Sequence, residues 1–243
     1  MGKILRKNQA KLECAGEDAR LSLPRRELTR IIDSTNVKAT ASKNDIETLC
    51  KDAVRHGFGC VCVNPVYVKL ASAILKGKKP KVCSTIGFPF GTSLMEIKAL
   101  EAVRAVEDGA KELDMVINLS LLKSRDYSTT MRDIAAVVDV RKLSRDIVIK
   151  VIIETDSLTD EEKVVACKLA KEAGADFVKT STGFFGEGAT VKDIRLMRKT
   201  VGPNIGVKAA GGIKTYADAA KMIRAGANRI GTSSAVAIIS GMP

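Results

Sequence analysis

Glu172-Ala173-Gly174-Ala175-Asp176-Phe177-Val178-Lys179 holds one repeating unit of the fold in a single line of sequence. A helix-like run stops at Gly174, the residue type that closes helices in the left-handed conformation. A short apolar run follows at once, and it ends on a lysine. The same punctuation recurs in Glu107-Asp108-Gly109-Ala110 and in Arg224-Ala225-Gly226-Ala227, and Gly57 stands in an equivalent place. Helix, glycine, strand and polar tip therefore repeat along the chain.

Working outward from that line, apolar runs predict strands at 30–33, 59–63, 81–86, 112–117, 147–153, 176–179, 205–208 and 229–231. Amphipathic runs predict helices at 43–55, 65–75, 95–107, 128–143, 159–172, 191–200 and 216–224, with a short segment at 234–239. The strands are rich in Val and Ile, as strands covered on both faces should be. Alternating strands and helices imply parallel pairing through right-handed crossovers. Eight such units predict a single (β/α)8 (TIM) barrel over 25–243, preceded by a short helical extension over 1–24. An open doubly wound sheet is the alternative. Against it, Asp33-Ser34-Thr35 follows the first strand where a glycine-rich dinucleotide loop would stand.

The 243 residues carry 45% hydrophobic side chains and a net charge of +12. No apolar run approaches the roughly 18 residues of a membrane span, and the N-terminus lacks the apolar centre of a signal peptide. Three Tyr, six Phe and no Trp leave little for base stacking, so the positive charge is read as surface solvation and attraction of an anionic substrate, not as a nucleic-acid site. The six cysteines lack metal-ligand spacing. Five sit among apolar neighbours, which suits reduced thiols in the cytoplasm. Cys62 is expected to face the barrel interior and Cys60 its outside. His56, the only histidine, is expected to close a helix before Gly57.

In such a barrel the C-terminal strand tips build the site. Polar residues gather there: Asp33 and Thr35, Cys62 and Asn64, Thr85, Asp114, Glu154 and Thr155, Lys179, Lys208, and Ser233 with Ser234. A lysine at a buried tip is costly to hold as a cation, and as a free amine it attacks carbonyls to give a Schiff base. Lys179 and Lys208 end consecutive strands, so each ammonium should disfavour the other. Asp114 interrupts an apolar strand and needs a partner. A structural ion pair and a proton-handling role beside Lys208 both satisfy it. Gly211-Gly212 and Ser233-Ser234, on the last two strand tips, offer amides and hydroxyls to a phosphate.

Taken together, Asp176-Phe177-Val178-Lys179-Thr180-Ser181-Thr182-Gly183-Phe184, Leu113-Asp114-Met115-Val116-Ile117-Asn118, Val151-Ile152-Ile153-Glu154-Thr155, Val207-Lys208-Ala209 and Arg229-Ile230-Gly231-Thr232-Ser233-Ser234 resemble the deoxyribose-phosphate aldolase family. The resemblance runs from about Ile31 to Ile239. It implies a metal-free and cofactor-free class I lyase that cleaves 2-deoxy-D-ribose 5-phosphate reversibly to D-glyceraldehyde 3-phosphate and acetaldehyde, in deoxyribonucleotide catabolism. It further implies Lys179 as the Schiff-base lysine, Lys208 as the lysine that tunes it and Asp114 as the acidic partner in proton transfer. Asp33, Thr35, Cys62 and Lys150 would line or support the pocket. Gly183, Gly211, Gly212, Ser233 and Ser234 would hold the phosphate. A homodimer is compatible with it.

Several positions depart from the family pattern. Ser34 stands where His is frequent, Asn36 where an apolar residue is usual, Ala210 where Ser is usual, Lys214 where Arg is common and Ala235 where Gly is usual. The sequence stops at Pro243 without the tyrosine tail of some longer members. A lysine cannot reproduce the planar fork of arginine on a phosphate. These departures bear on affinity and rate more than on reaction type. Another Schiff-base enzyme for a different phosphosugar and a non-catalytic sugar-phosphate-binding barrel are the remaining readings; the intact Lys179, Lys208 and Asp114 set disfavours the second.

Overall fold

The computed structural model describes residues 23–243. The extension expected over 1–24 lies outside the described residues except for its last two. Eight parallel strands close into a barrel in sequence order. They are β1 (Ile32–Asn36), β2 (Cys60–Val63), β3 (Lys81–Ile86), β4 (Glu112–Val116), β5 (Val148–Ile152), β6 (Phe177–Lys179), β7 (Gly206–Ala210) and β8 (Arg229–Thr232). Closure comes from β1 pairing β8, with Ile32 opposite Ile230 and Asp33 opposite Gly231. That pairing excludes the open doubly wound sheet.

The helices, in chain order, are α1 (Arg25–Arg30), α2 (Lys43–His56), α3 (Val68–Leu75), α4 (Met95–Glu107), α5 (Leu119–Lys123), α6 (Tyr127–Val138), α7 (Asp160–Glu172), α8 (Val191–Val201), α9 (Tyr216–Arg224) and α10 (Ala235–Ser240). Local chemistry sets their ends. Ser42 with Asp45, Thr159 with Glu162 and Thr215 with Asp218 form capping boxes that satisfy the first amides of α2, α7 and α9. Gly57, at φ 74°, closes α2 directly after His56. Outward-facing strand residues such as Val61, Leu113, Ile149, Val151 and Val207 are fully buried against the helices.

Several elements differ from expectation. β1 begins at Ile32 and runs on through polar Asn36, because Arg30 still belongs to the short helix α1 and because this barrel's interior is charged, so polarity does not end the strand. The helix expected over 128–143 stops at Val138, and a tighter 3-10 turn covers Asp139–Lys142. α5, directly after β4, was not expected.

The register decides which tips meet. Asp114 lies opposite Lys150 across β4 and β5, and Lys179 lies opposite Lys208 across β6 and β7. Strand residues two apart share a face. Cys60 and Cys62 accordingly both point inward, where they join Cys83 in one buried cluster. The expectation that Cys60 faces outward is corrected on this ground.

Candidate active site

The four inward lysine and arginine side chains and three carboxylates form one continuous buried network. Lys179 Nζ lies 2.8 Å from Asp114 Oδ2, and Lys208 Nζ lies 2.7 Å from the same oxygen. Lys208 Nζ also reaches Asp33 Oδ2 at 2.6 Å. Lys150 Nζ contacts Asp114 Oδ1 at 2.9 Å and Glu112 Oε2 at 2.7 Å. Arg229 closes the lower end, 2.9 Å from Glu112 Oε1 and 3.3 Å from Asp33 Oδ1. The two tip lysines are therefore neighbours, as expected, but with a carboxylate oxygen between them. Asp114 bridges three ammonium groups, so it is at once an ion-pair residue and the immediate neighbour of Lys179.

Backbone geometry makes room for this. A side chain at position 231 would put its Cβ 2.8 Å from Lys208 Cε, so the glycine there is what lets the Lys208 stem pass. Burial alone would push the Asp114 carboxyl up; Lys150, Lys179 and Lys208 overcome it and hold the group well below the usual carboxylate range. Burial likewise opposes an Asp33 carboxylate, and Arg229, Lys208 and Lys150 lower it. Burial opposes the Lys208 charge, yet Asp114 and Asp33 raise it above the usual lysine value. Lys150 is raised in the same way, chiefly by Asp114 against burial.

The sulphur cluster borders Asp114. Cys83 Sγ lies 3.1 Å from Asp114 Oδ1 and 3.5 Å from Lys150 Nζ, and Cys62 Sγ lies 3.9 Å from Asp114 Oδ2. Burial opposes a Cys83 thiolate, whereas the Cys60 and Cys62 thiols and Lys150 favour one, to about 6. The approach of Cys83 to an ionised carboxylate oxygen is one that only the protonated thiol can make, and on that geometry it stays neutral. Cys62 is raised by its bond to Cys83 and by burial. Two donor groups, Cys62/Cys83/Asp114 and Asp33/Cys60/Glu112, have the closeness of metal ligands. Lys150, Lys208 and Arg229 occupy the cation positions beside them.

Above this network opens a cavity of about 410 Å³. Lys179 is on its floor, only 4% exposed. Thr35, Gly183, Gly211, Gly212 and Ser233 line it, as do Thr85, Thr182, Lys38 and Lys214. Asp33, Cys62, Asp114, Lys150 and Lys208 are wholly buried beneath and support the floor without lining the cavity. Ser234 is not on the lining. Its amide donates to Thr232 Oγ1 at 2.9 Å, so that N–H is already used within the turn. Its helix α10 is only six residues long.

Sequence reasoning missed Glu112, Arg229, Cys83 and Lys38. Glu112 was within reach, since it stands two residues before Asp114 and must share its face. Lys38 comes to the cavity through the loop after β1, and no local pattern announces it.

Residues 30–241 match the sequence model of the DeoC/LacD family aldolases. The chain is 61% identical over 221 residues to the deoxyribose-phosphate aldolase of Thermococcus kodakarensis, covering 90% of this chain and 98% of that protein. It is 56% identical over 214 residues to the enzyme of the same name from Listeria monocytogenes, covering 88% and 95%. Among solved structures, a deoxyribose phosphate aldolase from Aeropyrum pernix, described as a unique tetramer, superposes with a TM-score of 0.85 at 35% identity, covering 98% of this chain and 95% of that one. The chain belongs to the DeoC/LacD aldolase family.

Proposed function

We propose that this DeoC/LacD-family aldolase cleaves 2-deoxy-D-ribose 5-phosphate reversibly to D-glyceraldehyde 3-phosphate and acetaldehyde through a Schiff base on Lys179. The observation that carries the reading is the contact of Lys179 with Asp114 at the floor of a cavity whose rim is glycine, serine and lysine. High identity to proteins named deoxyribose-phosphate aldolase over nearly their whole length supports the substrate.

Position supports Lys179 as the nucleophile. Arg229 cannot give up a proton. Lys150 and Lys208 are each raised. Of the four basic groups in the network, Lys179 is the one that lines the cavity. Its neutral amine attacks C1 of the open-chain sugar, and loss of water gives the imine. The imine draws the electron pair of the C2–C3 bond as the C3 hydroxyl loses its proton, and glyceraldehyde 3-phosphate leaves. The enamine left on Lys179 is protonated at C2, and hydrolysis frees acetaldehyde and the amine. Asp114, held ionised, sits where it can accept and return protons beside Lys179, and Lys208 orients it. Asp33, Lys150 and Cys62 fix that pair from below. Thr35 faces the sugar, and Gly183, Gly211, Gly212 and Ser233 take the phosphate, with Lys38 and Lys214 adding charge. Ser234 shapes the turn that carries Ser233.

The imine supplies the electron sink that a Lewis acid would otherwise provide. Activity is therefore expected to survive exhaustive dialysis against chelator. A cytoplasmic, catabolic setting belongs to this reading, supported by the five buried free thiols among the described residues. So does assembly with further copies, as in the Aeropyrum pernix relative. The division into an extension over 1–24 and a barrel over 25–243 is kept as part of it. No described helix is long and apolar enough to cross a membrane.

The test is turnover of 2-deoxyribose 5-phosphate by the purified protein, following acetaldehyde and triose phosphate together. Equal release of the two is expected. Cleavage of another phosphosugar but not of this one would replace the substrate and keep the Schiff base.

A further inference from the structure

Glu154 stands at the tip of β5 and has no part in the chemistry above, yet three unfavourable features meet in it. It is a non-glycine residue at φ 57°, in the left-handed region. It is fully buried. Only one of its oxygens is engaged by the described protein: Oε2 accepts the Thr182 N–H at 3.0 Å, while Oε1 is buried without a hydrogen-bond partner. Burial pushes this carboxyl up, against the hydrogen bonds from Thr182 and the charge of Lys179. A turn that needed only its backbone shape would be better served by glycine or asparagine. A strained, poorly compensated residue beside a site points to a task there.

The bond it makes shows what the task would be. Its neighbours already join the ends of β5 and β6 through backbone: Ile153 donates its N–H to the Lys179 carbonyl and Thr155 to the Thr180 carbonyl, each at 3.0 Å. Beyond Thr180 the chain leaves the sheet and turns over the cavity. There Glu154 holds the Thr182 amide, and Thr182 Oγ1 accepts the Phe184 N–H at 3.2 Å. Gly183, at φ 85°, lies between these two fixed points and lines the cavity.

We propose that Glu154 is a positioning residue for the phosphate end of the substrate: by fixing the Thr182 amide it aims Gly183 into the cavity. This rests on the phosphosugar reading given above. The role needs a hydrogen-bond acceptor at the end of a long side chain, not a charge.

The test compares Glu154→Ala, Glu154→Gln and the unaltered protein on 2-deoxyribose 5-phosphate and on unphosphorylated 2-deoxyribose. Leaving the Thr182 amide without its acceptor should raise KM for the phosphosugar about fivefold or more in Glu154→Ala, with kcat little changed. Catalytic efficiency on the unphosphorylated sugar should fall by less than about threefold, and Glu154→Gln, whose amide oxygen still accepts, should stay near the unaltered protein on both. Borohydride trapping on Lys179 should persist in Glu154→Ala, because the backbone bonds at Ile153 and Thr155 remain. An unchanged KM in Glu154→Ala overturns the proposal, as do equal losses on both sugars. A Glu154→Gln variant as impaired as Glu154→Ala overturns it too. If Glu154→Ala does not fold, Glu154→Asp, which keeps the charge but shortens the reach, replaces it: a phosphosugar-specific rise in KM supports the proposal, and an unchanged KM overturns it. Failure of the unaltered protein to cleave the phosphosugar would instead strike the reading on which this rests.

Discussion

The barrel interior and the layer between α4 and α6 both bury lysine, and only the barrel interior brings one to the floor of a cavity. Lys98, on α4, is fully buried and paired with Asp133 of α6 at 2.7 Å, with the Val116 carbonyl as a further acceptor at 3.0 Å. Burial lowers Lys98, with Asp133 opposing, and burial raises Asp133, with Lys98 opposing. That is how a buried pair behaves when desolvation outweighs one direct ion-pair partner, here with Glu101 adding only a more distant charge to Lys98. In the barrel, Asp114 is lowered and Lys208 raised, because each has several partners of opposite sign. The lesson is that burial of a lysine does not by itself mark a nucleophile. What distinguishes Lys179 from Lys98 is a place on a cavity and a carboxylate partner shared with two further lysines.

The largest expected difference between the two regions is at the lysines themselves. Lys179→Arg should abolish turnover, since a guanidinium stays protonated and forms no imine. Lys98→Met should leave kcat near that of the unaltered protein while lowering stability by about 3–5 kcal/mol, the effect of stranding a buried partner. Steady-state kinetics alongside denaturant titration separate the two. Turnover retained by Lys179→Arg would break the comparison.

Next come the carboxylates. Asp114→Asn should slow turnover by roughly 10²–10⁴-fold, as loss of a positioned acid–base group does. Asp133→Asn should act on stability and leave kcat largely intact. If Asp114→Asn only unfolds the protein, Asp114 is as structural as Asp133 and the contrast fails.

The smallest expected effect is at the cavity rim. Ser233→Asp places a carboxylate where the phosphate is proposed to sit. It should raise KM for 2-deoxyribose 5-phosphate and change efficiency on the unphosphorylated sugar far less. Equal losses on both would move the phosphate elsewhere.

Most of the fold could be read from the sequence because each unit carries its own punctuation. The run Lys81–Ile86 was located at both ends, since apolar alternation and flanking helices agree there. The first strand was misplaced because Asp33-Ser34-Thr35-Asn36 reads as a loop to any rule that equates strands with apolar runs. The same assumption hid Glu112 and Arg229. A barrel interior filled with ion pairs violates it, and only the alternation of faces from Asp114 backwards would have exposed the lower layer. Lys179, Lys208 and Asp114 were visible because charge in an apolar strand demands a partner. That Asp114 serves three lysines depends on strand register and closure, which no single segment encodes. Ser234 looked equivalent to Ser233, and a turn-internal hydrogen bond separates them.

The most direct measurement of the central claim is borohydride reduction of the protein in the presence of acetaldehyde, followed by peptide mass spectrometry. The account predicts a single ethyl adduct on the peptide containing Lys179, with Lys98, Lys150 and Lys208 unmodified. An adduct on another lysine alone, or none in a protein that still cleaves the phosphosugar, would contradict it.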